Sequence, residues 1–379
     1  MEFIDLATQQ KRIIEKIEAN IKSVLNHGKY IMGPEVKILE DTLVHYVGAK
    51  HAVSCASGTD ALLMALMAYN IGHGDAVFTT PFTFIATAEV ISLLGAIPVF
   101  VDIDPDTYNI DPQKLDQAIS KIKSSTSGTK ALRPKAIIAV DLFGLTADYD
   151  AIQTVAQKHQ LIIIEDAAQS FGADYKNKKA CAFGDIACTS FFPAKPLGCY
   201  GDGGMCFTND AQIEAKLKSI RVHGQGGYKY DNVRIGINGR LDTLQAAILL
   251  AKLEIFPEEI KLRQEAAERY TSLLSPLPFI KTPHIPKDYK SAWAQYSILA
   301  ENGSQREIIL SKLSKESIPS AIYYPKPLHQ QEAFAFLGYK KGDFSVSEDA
   351  ASRIFSLPMH PYLNTKDQEK IVKVIGSIK

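Results

Sequence analysis

Apolar side chains recur every three to four residues over 9–26, where Ile13, Ile14, Ile17, Ile21, Val24 and Leu25 fall at helical spacing and Gly28 follows. The spacing predicts an amphipathic helix, and the glycine supplies a left-handed stop. Val36, Leu39, Leu43 and Tyr46 repeat the pattern in a second helix, separated from the first by a glycine-bounded loop over 28–34. From residue 51 the pattern changes. Short apolar runs at 51–55, 76–80, 97–102, 136–140 and 161–166 alternate with helix-period segments at 61–67, 83–94, 111–122 and 151–159. Such alternation predicts an α/β domain around a mainly parallel sheet.

Further helices are predicted over 211–220 and 244–253, the second preceded by Asp242 with Gln245 at capping-box spacing. A glycine-rich loop begins at Arg221. Residues 257–274 form a long charged helix, a natural connector, followed by a strand at 296–300, a helix at 305–317, a proline-bounded strand end over 321–329 and a last helix from Thr365. At 379 residues the chain exceeds one ordinary domain. A large domain over 1–255 and a smaller α+β domain over 256–379 are expected. The polar stretch 123–135 reads as a surface excursion rather than a boundary.

Composition removes several functions. Lys plus Arg and Asp plus Glu are 42 each, which argues against a primary role on nucleic acid or a membrane surface. Any anionic ligand must then be held locally. The five cysteines form no Cys-x-x-Cys pair, so neither a zinc site nor a disulfide framework is expected. The opening residues lack a basic segment followed by an apolar one, and no uncharged apolar run approaches ~18 residues, so a cytoplasmic protein is expected.

The chemistry concentrates between residues 161 and 210. The run 161–166 ends in Glu165 and Asp166, and ligands of parallel sheets bind at strand carboxyl ends. Further on, Lys195 sits between Pro193 and Pro196, after Thr189, Ser190 and two phenylalanines, and before Gly201-Asp202-Gly203-Gly204. Prolines restrict that backbone and glycines admit a close neighbour. A free lysine titrates near ~10.4, so Schiff-base chemistry needs it desolvated or beside positive charge. Pyridoxal phosphate needs such a lysine, a carboxylate for its ring nitrogen, and hydroxyls with backbone amides for its phosphate. Lys195, Asp166 and Ser190 meet those needs. Taken singly, the aspartate reads as a cap and the lysine as a solvated charge; it is their combination that points to chemistry.

A second phosphate element is the turn Ser57-Gly58-Thr59, which opens a helix with free N–H groups and a favourable dipole, though Ser and Thr there are also ordinary caps. Phe82 and Phe84 stand at a strand–helix junction, where an aromatic can stack on a flat heterocycle or simply fill core. Neither a Gly-x-Gly-x-x-Gly turn nor a Gly-Lys-Ser/Thr loop is present, which leaves nicotinamide and ATP readings without their phosphate sites.

The run from Glu165 to Gly172, Thr189-Ser190-Phe191-Phe192-Pro193-Ala194-Lys195, and Gly201-Asp202-Gly203-Gly204 with Thr208-Asn209-Asp210 resembles the DegT-type nucleotide-sugar aminotransferases over nearly the whole chain. The resemblance implies a fold-type-I pyridoxal phosphate enzyme, with glutamate as amino donor, acting as a homodimer with shared active sites. Some relatives are dehydratases with histidine at the lysine position; Lys195 favours transamination. By the same resemblance Lys195 is catalytic, and Gly58, Thr59, Phe84, Asp166, Gln169, Ser190 and, from the partner chain, Asn238 bind the cofactor. Arg240, Tyr323, Tyr324 and His223 are expected at the substrate. Tyr323 departs from the histidine expected there. The motifs from Ser190, Arg240 and Ser356 are most similar to the 3-aminotransferases acting on UDP-2-acetamido-2-deoxy-3-oxo-glucuronate, enzymes of bacterial surface-polysaccharide synthesis. The alternatives are a 4-aminotransferase for a UDP- or dTDP-4-keto-6-deoxy sugar and, more remotely, a non-catalytic pyridoxal-binding regulator.

Overall fold

The computed structural model describes residues 1–124 and 132–378. Two helices open the chain, α1 (Leu6–His27) and α2 (Pro34–Val47). Asp5 caps the first by accepting the Thr8 amide at 2.9 Å, and Gly28 ends it at φ +66°. Strands and helices then alternate: β1 (His51–Cys55), α3 (Gly58–Ala68), β2 (Asp75–Thr79), α4 (Ala86–Leu93), β3 (Ile97–Phe100), α5 (Pro112–Ser124), β4 (Arg133–Val140), α6 (Tyr149–His159) and β5 (Ile162–Asp166). Two short strands, β6 (Asp174–Tyr175) and β7 (Lys178–Lys179), precede β8 (Ile186–Ser190), β9 (Gly204–Thr208), α7 (Ala211–Ile220) and α8 (Thr243–Leu253).

Seven of these strands form one sheet in the order β1-β9-β8-β5-β4-β2-β3. Pairings from β8 through β5, β4 and β2 to β3 are parallel, while β9 runs against both β8 and β1. The sheet is buried on both faces, as the unbroken apolar runs require. On one face Ile138, Ile164, Ile186 and Val53 pack against Ala61, Leu62 and Ala65 of α3 and Ile213 and Leu217 of α7. On the other, Ile137 and Ile163 meet Leu115, Ile119 and Ile152 of α5 and α6, and Phe207 and Met205 meet Leu39 and Leu43 of α2. This is a three-layer α/β/α body.

The rest of the chain carries α9 (Phe256–Leu274), β10 (Ile280–Lys281), β11 (Tyr289–Lys290), β12 (Tyr296–Ala300), α10 (Gly303–Lys315), α11 (Ser345–Arg353), β13 (Ile354–Leu357) and α12 (Thr365–Gly376). β10, β12 and β13 make an antiparallel sheet with its own core, in which Tyr270, Tyr296, Ile309, Phe355 and Ile371 are fully buried. β11 instead crosses back to pair with β6. Among the described residues no helix is long and apolar enough to cross a membrane, and no three His, Cys, Asp or Glu side chains are placed to hold a metal.

Five features differ from the hydropathy pattern. The helix expected from Thr83 starts at Ala86, because the Phe82 amide bonds the Thr80 hydroxyl at 3.0 Å and bends the entry. β4 begins at Arg133 rather than Ala136, since Arg133 pairs in register with Asp75 and also ion-pairs with it at 2.9 Å. Of the supposed excursion 123–135, Lys123 and Ser124 continue α5, and 125–131 lie outside the described residues. The capping box does not form: Asp242 makes no side-chain cap bond, and Gln245 accepts the Tyr200 amide at 2.9 Å instead. In 321–329 only Ala321 bridges to a strand residue, Ser356, before the chain turns irregular.

One buried charge pair ties the layers together. Arg221, just after α7, places its guanidinium 2.7 Å from Glu40 on α2 and 2.9 Å from the Ser54 carbonyl on β1, with both charged residues nearly inaccessible. Removing one member strands the other charge in the core. Arg221→Met is therefore expected to lower unfolding free energy by about 3–5 kcal/mol in denaturant titrations, and adding Glu40→Gln is expected to recover part of that loss.

Candidate active site

The carboxyl ends of β1, β8, β5 and β4 all open on one edge of the sheet, and β9 starts there, opposite Ser190 and Cys55. Because β9 pairs directly with β8, both ends of the 191–203 loop are fixed at that edge. Lys195 is therefore carried over the strand ends whatever the loop does in between. Side chains alternate along a strand, so Asp166 and Ser190 share the face covered by α3 while Glu165 points to the opposite face.

Asp166 is almost fully buried. Its two oxygens accept the Thr87 hydroxyl at 2.8 Å and the Ala168 amide at 3.2 Å. Burial raises its pKa, while Thr87, the Ala168 N–H and the Lys195 charge pull it back down. Lys195 is half-buried, its backbone N–H bonded to the Phe192 carbonyl at 2.9 Å in a tight turn. Burial lowers its pKa and the nearby Asp166 opposes that shift. Burial alone thus pushes each group toward its neutral form, and the attraction between the two opposes that push.

Beside them lies a cradle for an anion. Ser57 caps α3, its hydroxyl accepting the Asp60 amide at 3.0 Å, and the Ala61 amide bonds the Ser57 carbonyl at 3.0 Å. That leaves the Gly58 and Thr59 amides at the helix mouth without an acceptor among the described residues. Ser190 adjoins them: a Cβ on Gly58 would lie 2.7 Å from the Ser190 Cβ. On the other side a Cβ on Gly204 would lie 2.2 Å from the Ser57 carbonyl oxygen, so the turn, β8 and β9 meet with no room for side chains.

Gln169 accepts the Phe143 amide at 2.7 Å and donates to the Tyr324 hydroxyl at 3.1 Å. The Phe84 ring lies 6.5 Å from that of Tyr324 and is 55% exposed, whereas Phe82 is wholly buried. Tyr323 packs between Tyr324 and Phe3, with centroids at 6.0 and 6.4 Å. Asp166, Lys195, Ser190, Gly58, Gln169, Phe84 and Tyr324 are thereby gathered at one edge. Asn238, Arg240 and His223 make no hydrogen bond or ion pair to that cluster among the described residues. Asn238 and His223 are exposed, and the neighbouring Gly239 carbonyl accepts the Ala56 amide at 3.0 Å, close to the cradle. Arg240 has a buried Nε with no partner.

Thr87 and Phe143 were missed from sequence. Thr87 sits in an apolar helix where a threonine passes for filler, and Phe143 reaches Gln169 only through its backbone. Behind the site, Asp141 and Glu165 face one another in full burial. Asp141 accepts Ser170, Tyr149 and the Ala147 amide; Glu165 accepts the Cys181 and Phe183 amides. Burial raises both pKa values; Asp141 raises that of Glu165 further, while the hydrogen bond from Glu165 draws that of Asp141 back down, so the pair holds a proton and Glu165 is its seat.

The DegT/DnrJ/EryC1/StrS aminotransferase family model matches residues 11–376, and the chain belongs to that family. It is 52% identical, over 96% of each chain, to a UDP-2-acetamido-2-deoxy-3-oxo-D-glucuronate aminotransferase of Pseudomonas aeruginosa. The crystal structure of a DegT DnrJ EryC1 StrS aminotransferase from Brucella abortus superposes with a TM-score of 0.95 at 51% identity, covering 100% of this chain and 99% of that one. The NtdA structure from Bacillus subtilis, with bound cofactor PMP, matches at a TM-score of 0.88 and 27% identity, over 99% of this chain and 82% of that one.

The residues present fit such a cofactor: a close-packed cradle with two free amides and a serine for phosphate, and a buried carboxylate with spare lone pairs for a ring N–H. Gly58→Ala is expected to weaken retention of pyridoxal phosphate by roughly ten- to a hundred-fold in an equilibrium titration, since overpacking costs about 1–3 kcal/mol. Gly227→Ala, where a Cβ would meet nothing within 4 Å, is expected to leave it unchanged.

Proposed function

We propose that this aminotransferase moves an amino group from glutamate to C3 of UDP-2-acetamido-2-deoxy-3-oxo-glucuronate, using Lys195 as the catalytic amine. The observation that carries the chemistry is the pairing of a pKa-lowered lysine with a buried aspartate beside an anion cradle. Pyridoxal phosphate supplies an aldehyde to take up the amino group and a cationic ring to draw electrons from the reacting carbon.

Lys195 would be the amine that holds the cofactor, and its Nζ, with its pKa lowered by burial, would carry the proton to and from the reacting carbon as general base and acid. Asp166 would hold the cofactor's ring N–H, and Thr87 and the Ala168 amide fix the aspartate so that it need not reorganise. Gln169, steadied by Phe143 and Tyr324, and the exposed Phe84 ring would help hold the cofactor's ring. Gly58, Thr59 and Ser190 hold the phosphate, joined by the partner chain's Asn238 in a homodimer; an exposed Asn238 beside exposed Val233 and Ile235 supports that arrangement.

For the sugar, the unpaired Arg240 Nε supports a bidentate grip on the C6 carboxylate, and Tyr323, Tyr324 and His223 line the approach. The large domain over 1–255 then carries the cofactor, and the smaller one over 256–379 brings the tyrosines to the substrate. The P. aeruginosa relative's substrate supports this choice of sugar.

The test runs the reaction backwards, with the aminated sugar and 2-oxoglutarate, and measures glutamate and keto sugar. Glutamate should form with the native enzyme and not with Lys195→Ala. Arg240→Lys should raise KM about tenfold with kcat less affected, since a single ammonium replaces a fork. Native cofactor absorbance without glutamate would discard the glucuronate and promote the 4-keto-6-deoxy sugar.

A further inference from the structure

Lys252, in the last turn of α8, is 1% exposed, yet its Nζ has no hydrogen-bond acceptor. Among the described residues its close partner is the ring of Tyr200, whose centroid lies 4.3 Å away. Tyr200 ends the loop that carries Lys195. That loop is closed at its neck, where the Cys199 amide and thiol meet the Phe191 carbonyl at 2.8 and 3.0 Å. Immediately beyond the neck, α8 grips Tyr200 twice from one face: Gln245 accepts its amide at 2.9 Å, and Lys252, seven residues on, covers its ring.

Nothing in packing alone asks for a lysine here. Taking an ammonium out of water costs more than an aromatic face returns, and an apolar side chain of similar length would fill the space without that cost. We propose that Lys252 is a positioning residue for Lys195: its ammonium, seated on the Tyr200 ring, clamps the end of the loop that carries the catalytic amine, and the loop slackens when that charge is lost. This rests on Lys195 being the catalytic amine.

The charge is poised to change. Burial pushes the Lys252 pKa down to about 8, opposed by Glu259 on α9 and Cys199 in the neck. Glu259 is shared with Gln9 of α1 and with Tyr362, and Arg263 leans on it from the next turn of α9. The other charges near α8 are committed elsewhere, Lys16 to Glu254 and Glu40 to Arg221. A lysine whose pKa is lowered on folding weakens the fold at neutral pH, and the penalty disappears as pH rises toward the ordinary lysine range, ~10.4. Fold stability and loop order should therefore move in opposite directions.

The experiment compares Lys252→Met, Lys252→Arg and Tyr200→Leu with the native chain. At pH 7 Lys252→Met should melt at the same or a higher temperature, yet its kcat should fall about tenfold with KM unchanged. In the cofactor-free protein its amides over 192–201 should exchange several-fold faster. Native kcat should decline above pH ~8, and Lys252→Arg, which keeps its charge, should lack that decline. Tyr200→Leu should reproduce the methionine variant. Native-like kcat and exchange in Lys252→Met or Tyr200→Leu overturn the proposal, as does an alkaline decline unchanged in Lys252→Arg. Faster exchange with kcat intact would instead overturn only the link to Lys195, because the cofactor-free readout does not depend on the reaction.

Discussion

Asp166 and Lys195 are both pushed toward their neutral forms by burial, and each is kept partly charged by the other. Neither group would tolerate that pocket alone: an unpaired buried carboxylate or ammonium is among the costliest features a fold can carry. A flat cationic group with an N–H for the aspartate and an electrophilic carbon for the amine would satisfy both, as the proposed function requires. The surrounding sheet has to bring two strand ends, a loop and a helix mouth to the same few ångströms. Reversal of β9 does this, since it returns the chain directly beside β8 and pins the lysine loop over the strand ends.

How much of this the chain discloses depends on whether the signal is local. Alternating apolar runs specify the parallel sheet well, because buried strands must be apolar on both faces. Gly58, Ser190, Asp166 and Lys195 stand out because each breaks a pattern, with a polar or glycine residue at the end of an apolar strand or in a proline-bounded loop. Thr87 has no such contrast. Its hydroxyl matters only because the fold brings it to Asp166, 79 positions away in sequence. The Gln245 side chain fails as a cap for a similar reason. Local spacing favours the capping box, but the Gln245 side-chain oxygen accepts the Tyr200 amide from 45 positions away instead. Tertiary demand for a hydrogen bond prevails over a local preference.

The cradle shows a complementary limit. Sequence places a glycine in the turn, but the reason it must be glycine lies in neighbours from β8 and β9. Gly58 and Gly204 are needed because three backbones converge, and a single methyl on either would overlap an atom of the adjacent segment. The same closeness sets Ser190 beside a helix mouth that begins more than a hundred residues earlier, as a shared anion site would require.

Two further buried charges lie behind the site rather than in it, and the same reasoning covers both. Asp141 and Glu165 hold a proton between them beneath the turn that carries Gln169 and Ser170. Lys252 holds an unpaired ammonium beneath the end of the lysine loop. In each case apolar packing would give a more stable fold, but apolar contacts are non-directional and leave a loop free to slide. A carboxyl that accepts three donors, or an ammonium fixed over one ring face, has a single good arrangement. On the proposed function, stability surrendered on the reverse side of the sheet edge would become definition of the groups on its front, where a catalytic amine tolerates little displacement.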